Sequence, residues 1–296
     1  MTLYTQAESN VRKTWILVFL FFVLIIGLGW IFSRTFQNPE ILVFAVIFSL
    51  IMNLVSFWHS DKIVLALARA KPIEKKDNPE VYRLVENLCI TAGLPLPKIY
   101  IIPEMQPNAF ATGRDKNHAV IAITQGLLEK LDRVELEGVI AHELSHIGNK
   151  DMLLMTVVVI LVGFVTIISD WFFRANWLGF RRRDSRGSGQ AGAILALVGL
   201  ALAILSPLIA MLIQMAISRK REFLADATGA LLTRYPDGLA RALEKIAADK
   251  TPLKAATTAT AHLYISNPFK EKKFSNLFLT HPPIEERIKI LKEMRV

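Results

Sequence analysis

Apolar positions along the chain gather into four blocks that two polar stretches keep apart. Trp15 to Phe32 carries no charge, and Ile41 to Trp58 is a second run of the same kind. Met152 to Phe173 is broken only by Asp170, and Ala191 to Ile217 only by Pro207 and Gln214. A helix needs about 20 apolar residues to cross a hydrocarbon core. The pattern therefore predicts about four transmembrane helices, with globular core helices as the alternative for the third and fourth blocks. Arg12 and Lys13 precede the first block, which is long for a signal peptide and has no small-x-small site after it, so it reads as an uncleaved anchor. Only Ser33 to Glu40 separates the first two blocks, which makes them a hairpin. The expected organisation is a transmembrane hairpin at 1–60, a polar segment at 61–151, a second hairpin at 152–217 and a second polar segment at 218–296.

The polar segments read as α+β. Asp77-Asn78-Pro79 opens a helix, Val81, Leu84, Val85 and Leu88 form its apolar face, and Gly93 ends it. Lys98 to Pro103 and His118 to Thr124, rich in β-branched residues, predict strands of a small sheet, with turns at Pro107, Gly113 and Asn117. Asp132 and Glu135 form a capping-box pattern that starts a helix running to about Gly148. The fold class expected is a mainly α membrane protein with an α+β domain carrying a small β-sheet.

Charge changes the picture in two ways. A formal charge of +9 with 52% hydrophobic residues points to anionic lipid as counter-charge, and no nucleic-acid motif accompanies it. Basic residues flank the blocks unevenly: Arg12, Lys13, Lys62, Arg69, Lys71, Lys150, Arg219, Lys220 and Arg221 put both polar segments in the cytoplasm. The loop holding Arg174, Arg181, Arg182, Arg183 and Arg186 opposes this, so either it crosses against the rule or the third and fourth blocks do not fully span. Cys89 is the single cysteine; it excludes an intramolecular disulfide and a cysteine-built zinc site, and reads as a small buried hydrophobe.

The candidate chemistry begins at His142-Glu143-Leu144-Ser145-His146. Histidines at i and i+4 project about 40° apart on one helix face, so both imidazoles can reach one ion. Glu143 is offset by about 100°, beside such an ion, where it can take a proton from water. Asn149 and Met152 occupy the places where the extended metzincin motif needs Gly and a third His, which excludes that class. Glu222, in Arg221-Glu222-Phe223-Leu224-Ala225-Asp226, is the leading third ligand over His118, His262 and His281. Asp226 shares its helix face and suits the second nitrogen of a ligand histidine. His146 just before the third block and Glu222 just after the fourth would be brought together by a returning hairpin. His281, before a terminal helix with Ile284, Ile288 and Leu291 on one face, reads equally as a donor to an oxyanion or as an unengaged histidine.

The set His142-Glu143-x-x-His146, Glu222-x-x-x-Asp226 and Thr280-His281-Pro282-Pro283-Ile284-Glu285-Glu286-Arg287 resembles the M48 metallopeptidases, and Asn108-Ala109-Phe110 resembles a motif ahead of their active-site helix. The resemblance covers nearly the whole chain. It implies a gluzincin-type zinc endopeptidase in a cell membrane, probing the cytoplasmic side, with one Zn2+ held by His142, His146 and Glu222. It further implies Glu143 as general base and later proton donor, Asp226 behind a ligand histidine, and His281 at the tetrahedral intermediate. Asn149 and Asp151 would support the metal helix, and Asn108, Ala109 and Phe110 would lie along a polypeptide substrate. The implied task is quality control of misfolded membrane proteins in the bacterial inner membrane during stress, with a CAAX-type processing protease as the alternative within the family. Two rivals from other classes are a transporter, for which the spans offer essentially only Asp170, and a scaffold with a structural zinc, which would be expected to have four protein ligands.

Overall fold

A computed structural model describes residues 3–35, 37–163, 219–253, 255–257, 260–268 and 282–295. The third apolar block beyond Gly163, the whole fourth block, the arginine-rich loop and His281 lie outside the described residues.

Helices α1 (Leu3–Thr35) and α2 (Glu40–Leu67) are both long and apolar enough to cross a membrane. They run beyond the apolar blocks at both ends, because the flanking polar residues continue the helical turn. They approach closely at Gly29, where a Cβ would stand 2.3 Å from that of Ala45, so the absence of a side chain lets the backbones meet. Trp15, Phe19, Val23, Phe44, Ile47 and Leu54 remain exposed on the outer faces, the pattern of a surface solvated by lipid.

The chain then forms β1 (Lys71–Pro72), α3 (Pro79–Ala92), β2 (Lys98–Ile102), β3 (Ala109–Thr112), β4 (Val120–Thr124) and α4 (Gln125–Lys130). Asn78 caps α3 by accepting from Val81 N at 3.1 Å, and Gly93 at φ 64° closes it in the left-handed conformation. The four strands form one sheet in the order β1-β2-β4-β3, with β2 and β4 parallel and the other pairs antiparallel. The strand expected from His118 starts at Val120 instead. Asp115 accepts from the backbone of Asn117 and His118 and holds Lys116–His118 in a 3-10 turn.

Every residue of β4 is buried, which explains its uninterrupted apolar run. Ile121 and Ile123 face a core built with α3 and α5 (Arg133–Gly148), while Val120 and Ala122 face a second core shared with α1 and α6 (Asp151–Gly163). The sheet is thus sandwiched between the helix that bears the histidines and the apolar helices. Helix α5 opens on the expected capping box of Asp132 and Glu135. It is buried from Val139 to Ile147, packed by α3, β3, α7 (Arg219–Thr233) and α8 (Pro236–Ala248). At Lys150, held at φ 55°, the chain turns through 85° into α6, whose residues Met152 to Val162 are all buried. Helix α9 (Ile284–Glu293) closes the described fold against α7 and α8.

Candidate metal centre and active site

His142 and His146 lie one turn apart on α5 with their Nε2 atoms 3.2 Å from each other. Helix α7 crosses α5 so closely that a Cβ on Gly229 would be 3.0 Å from His142 N, and this brings Glu222 over the histidine pair. Glu222 Oε2 is 3.9 Å from His142 Nε2, and its Oε1 is 3.7 Å from His146 Nε2. Among the described residues these three form the one His/Cys/Asp/Glu group able to hold a metal, and all are buried. His118 is exposed and bound to Asp115, and His262 makes its contact with the Met155 carbonyl, so neither joins them.

Both histidines are oriented from behind. His142 Nδ1 donates to Asp226 at 2.9 Å and His146 Nδ1 to Asp151 at 3.1 Å, which leaves both Nε2 lone pairs aimed at the gap beside Glu222. Asn149 sits at the C-terminal end of α5, and Asp151 begins α6 just past the bend, so the turn itself delivers the carboxylate to His146. Asp226 also takes a bidentate pair from Arg287 on α9, at 2.8 and 2.7 Å. Arg287 is buried, donates to the Ile265 carbonyl at 2.9 Å and stands 3.7 Å from Glu222.

Electrostatics follow from this packing. Burial pushes the Glu143 carboxyl up to about 7. Burial would likewise raise Asp226, but the Arg287 charge and hydrogen bonds outweigh it and hold the carboxyl at about 2. Burial lowers His142 despite its bond to Asp226. His146 goes the other way: burial opposes its charge, yet the Asp151 hydrogen bond and the nearby Glu222 carry it up to about 9. Glu143 Oε2 is buried without a hydrogen-bond partner among the described residues, while the Ala111 backbone amide bonds to the carboxylate.

Ala111 belongs to β3, whose ladder with β4 uses the main-chain groups of Asn108, Phe110 and Thr112. Ala109 and Ala111 therefore turn theirs to the free edge of the sheet, beside Glu143. Part of that edge is taken by the chain itself: Ile265 N donates to the Ala109 carbonyl at 3.0 Å, and Asn108 Nδ2 to the Ser266 carbonyl at 3.1 Å. Phe110 points into the opposite core, edge-on to Tyr264 at 5.2 Å. Sequence reasoning gave Arg287, Arg221 and Asn10 no place in the site. Arg287 carried a signal, since it interrupts the apolar stripe Ile284, Ile288, Leu291, where a charge implies a buried partner.

Comparison with known proteins places the chain in a family. The profile of peptidase family M48 matches residues 75–295. A protein described as "Protease HtpX homolog" from Caldanaerobacter subterraneus subsp. tengcongensis is 46% identical over 299 residues, covering 100% of this chain and 99% of that protein. Proteins of the same description from Thermococcus sibiricus, 47% identical with 95% of each chain covered, and Lactobacillus helveticus, 44% identical with 99% and 100% covered, are also similar. The crystal structure of S. mikatae Ste24p shares the fold at 20% identity and TM-score 0.51, covering 95% of this chain and 67% of that one. With two helices apolar enough for a bilayer and a profile match over most of its length, this chain belongs to peptidase family M48.

Proposed function

We propose that this membrane metalloprotease is a zinc endopeptidase whose catalytic groups work on the cytoplasmic side of a bacterial inner membrane, on misfolded or damaged membrane proteins. The observation that carries the reading is the buried trio of His142, His146 and Glu222 beside a Glu143 oxygen that has no partner among the described residues. The donor set suits zinc: two imidazoles with Nδ1 hydrogens engaged elsewhere, plus one carboxylate. Ligand atoms held tetrahedrally at ~2.0–2.1 Å stand about 3.3 Å apart, close to the 3.2 Å between the histidines.

A dication held there supplies Lewis acidity toward a peptide carbonyl and the attacking water. The protein's own groups do the rest. An extended substrate lies along the outer edge of β3 at the Ala111 carbonyl, beyond the point where Ile265 occupies Ala109, with Asn108 and Phe110 fixing that strand from behind through Ser266 and Tyr264. Glu143 takes a proton from the water as its oxygen bonds to the peptide carbon. It then gives that proton to the leaving nitrogen as the carbon–nitrogen bond breaks. His281, three residues before α9, is assigned to the developing oxyanion because that helix already reaches the site through Arg287. Asp226 and Asp151 keep the histidine tautomers fixed, with Asn149 closing the metal helix.

Four spans with both polar segments in the cytoplasm form the topology that accompanies this reading. Its support is that Arg221 Nε stands 3.7 Å from Asp151, so the chain leaves and returns at one place, as an even number of crossings requires. Elemental analysis of purified protein tests the core of the proposal. One zinc per chain, lost in Glu222→Ala and kept in a proteolytically dead Glu143→Gln, is the expected result. Full zinc binding without Glu222, or normal cleavage of a membrane-protein substrate by Glu143→Gln, would overturn it.

A further inference from the structure

The buried stripe of α1 is Asn10, Thr14, Leu17 and Phe21, spaced so that all four face the interior of the protein. Leu17 and Phe21 pack into the core shared with α6. Asn10, at the polar end of the stripe, does something else. Its Nδ2 donates to Asp151 Oδ1 at 2.5 Å and to the Asn149 carbonyl at 3.3 Å, and its Oδ1 accepts from Arg221 Nη1 at 3.4 Å. One amide therefore ties together the bend after α5, which carries Asp151, and the start of α7, where Arg221 is next to Glu222. Asp151 uses its other oxygen to accept from His146 Nδ1. A buried amide with both donors and its acceptor engaged holds a defined orientation, because each lost bond would leave a buried polar group unpaired.

We propose that Asn10 is a positioning residue of the metal centre: it fixes the Asp151 carboxylate behind His146 and clamps the two helices that bear the ligands, so that the first transmembrane helix is part of the site. This rests on the trio being the metal site. The physical reason is that a ligand imidazole keeps its direction only as well as the group behind it does, and Asp151 lies at a sharp bend with no helical turn before it to hold it. Without Asn10, Asp151 Oδ1 faces Arg221, which draws the carboxylate away from His146. The asparagine is suited to the task because it donates to the carboxylate on one side and accepts from the guanidinium on the other.

The test uses the full chain in detergent and reads the zinc dissociation constant by competition with a chromogenic chelator, together with the apparent Tm in excess chelator. Asn10→Ala and the same-sized Asn10→Asp, which cannot donate to Asp151 when ionised, are each expected to weaken zinc binding about 10–100-fold. Leu17→Ala, a packing loss on the same stripe, is expected to lower Tm and leave the zinc constant unchanged. Unchanged affinity in a folded Asn10→Asp protein would overturn the proposal, and so would an equal loss of affinity in Leu17→Ala, which would mean that α1 acts through packing alone. Wild type that binds no zinc, or Glu222→Ala that binds it fully, would sink the trio itself, and Asn10's role with it. That failure is distinguishable because it needs no Asn10 variant.

Discussion

Arg287 is fully enclosed and holds Asp226 through two hydrogen bonds, so removing its charge leaves a carboxylate buried and uncompensated. Two routes give the size of the effect. Asp226 is held at about 2 from an ordinary 3.8, and at about 1.4 kcal/mol for each unit this amounts to about 2 kcal/mol at neutral pH. That contribution is present above pH 3.8 and is lost as pH falls through about 2, the sign expected when folding depresses an acid's pKa. Breaking a buried pair by removing one partner typically costs ~3–5 kcal/mol, because desolvation of the survivor is added. Arg287→Met should therefore lower the apparent Tm by roughly 6–20 °C, at ~2–4 °C per kcal/mol for a protein of this size. The assay is thermal unfolding in detergent at one scan rate, with chelator present so that metal linkage does not enter. The decisive step is the double variant Arg287→Met/Asp226→Asn. It removes the orphaned charge and should recover about 2 kcal/mol or more relative to Arg287→Met alone. If the two substitutions simply add, the pair is not the reason Asp226 tolerates burial and the argument fails.

Other perturbations have signs that the structure decides. A Cβ on Gly138 would stand 2.7 Å from Leu239 N and 2.9 Å from its Cα, so Gly138→Ala must push α8 off α5; a loss of ~1–3 kcal/mol exceeds the ~0.5–1 kcal/mol gained in helix propensity, whereas Gly27→Ala, with nothing within 4 Å, should leave Tm unchanged or raised. Asn78→Ala removes the cap of α3 and should cost ~1 kcal/mol in unfolding while leaving zinc affinity untouched. The acid limb of kcat/KM should reflect Glu143: burial lifts it from 4.5 to about 7 and a neighbouring dication lowers it, so activity should fall with decreasing pH between these values, and a midpoint below 4.5 would contradict burial as the dominant influence. Free zinc at about 100 times its dissociation constant should stabilise the folded chain by ~2.7 kcal/mol, and an apparent Tm indifferent to chelator would argue against a metal bound only by the folded state.

How much of this was readable in the sequence depends on the range of the interactions involved. The capping box at Asp132, the start of α3 at Asn78 and the i, i+4 histidines are local, and each is fixed by residues within a turn or two of one another. Strand β3 was missed because Ala109 to Thr112 has no apolar alternation to display: all four residues are buried, and the strand is identified only by pairing with β4. Helix α8, by contrast, was passed over although its signals are local: Pro236 in the first turn and an apolar stripe of Leu239, Leu243 and Ile246. Asp226 and Glu222 could be paired with the histidines through the topology argument, yet nothing local to Asn10 says that it meets residues near position 150. Contacts of that kind depend on the 85° bend at Lys150 and on the crossing of α7 over α5, neither of which leaves a periodic trace.

The same packing explains why so many charges can be enclosed. Among the described residues, the buried charged and histidine side chains gather in one place apart from Glu135, which pairs with Lys245, and His262, which contacts the Met155 carbonyl. The gathered groups are the carboxylates of Glu143, Asp151, Glu222 and Asp226, the guanidiniums of Arg221 and Arg287, and the imidazoles of His142 and His146. With neutral imidazoles the formal sum is four negative against two positive charges, a deficit of two. Burying uncompensated charge is costly, and two of the groups shift in the direction that restores balance. Glu143 is driven toward its neutral form and His146 toward its charged form, each by neighbours that include Glu222. A divalent cation at the trio cancels that deficit without protons. It also opposes the burial that drives Glu143 toward neutrality, the state that the general base of the proposed mechanism must avoid. On this argument the two arginines, which lie behind the proposed ligands, set the enclosed charge at a value that one dication completes, and they do so from α7 and α9, helices outside the His142-Glu143-x-x-His146 motif.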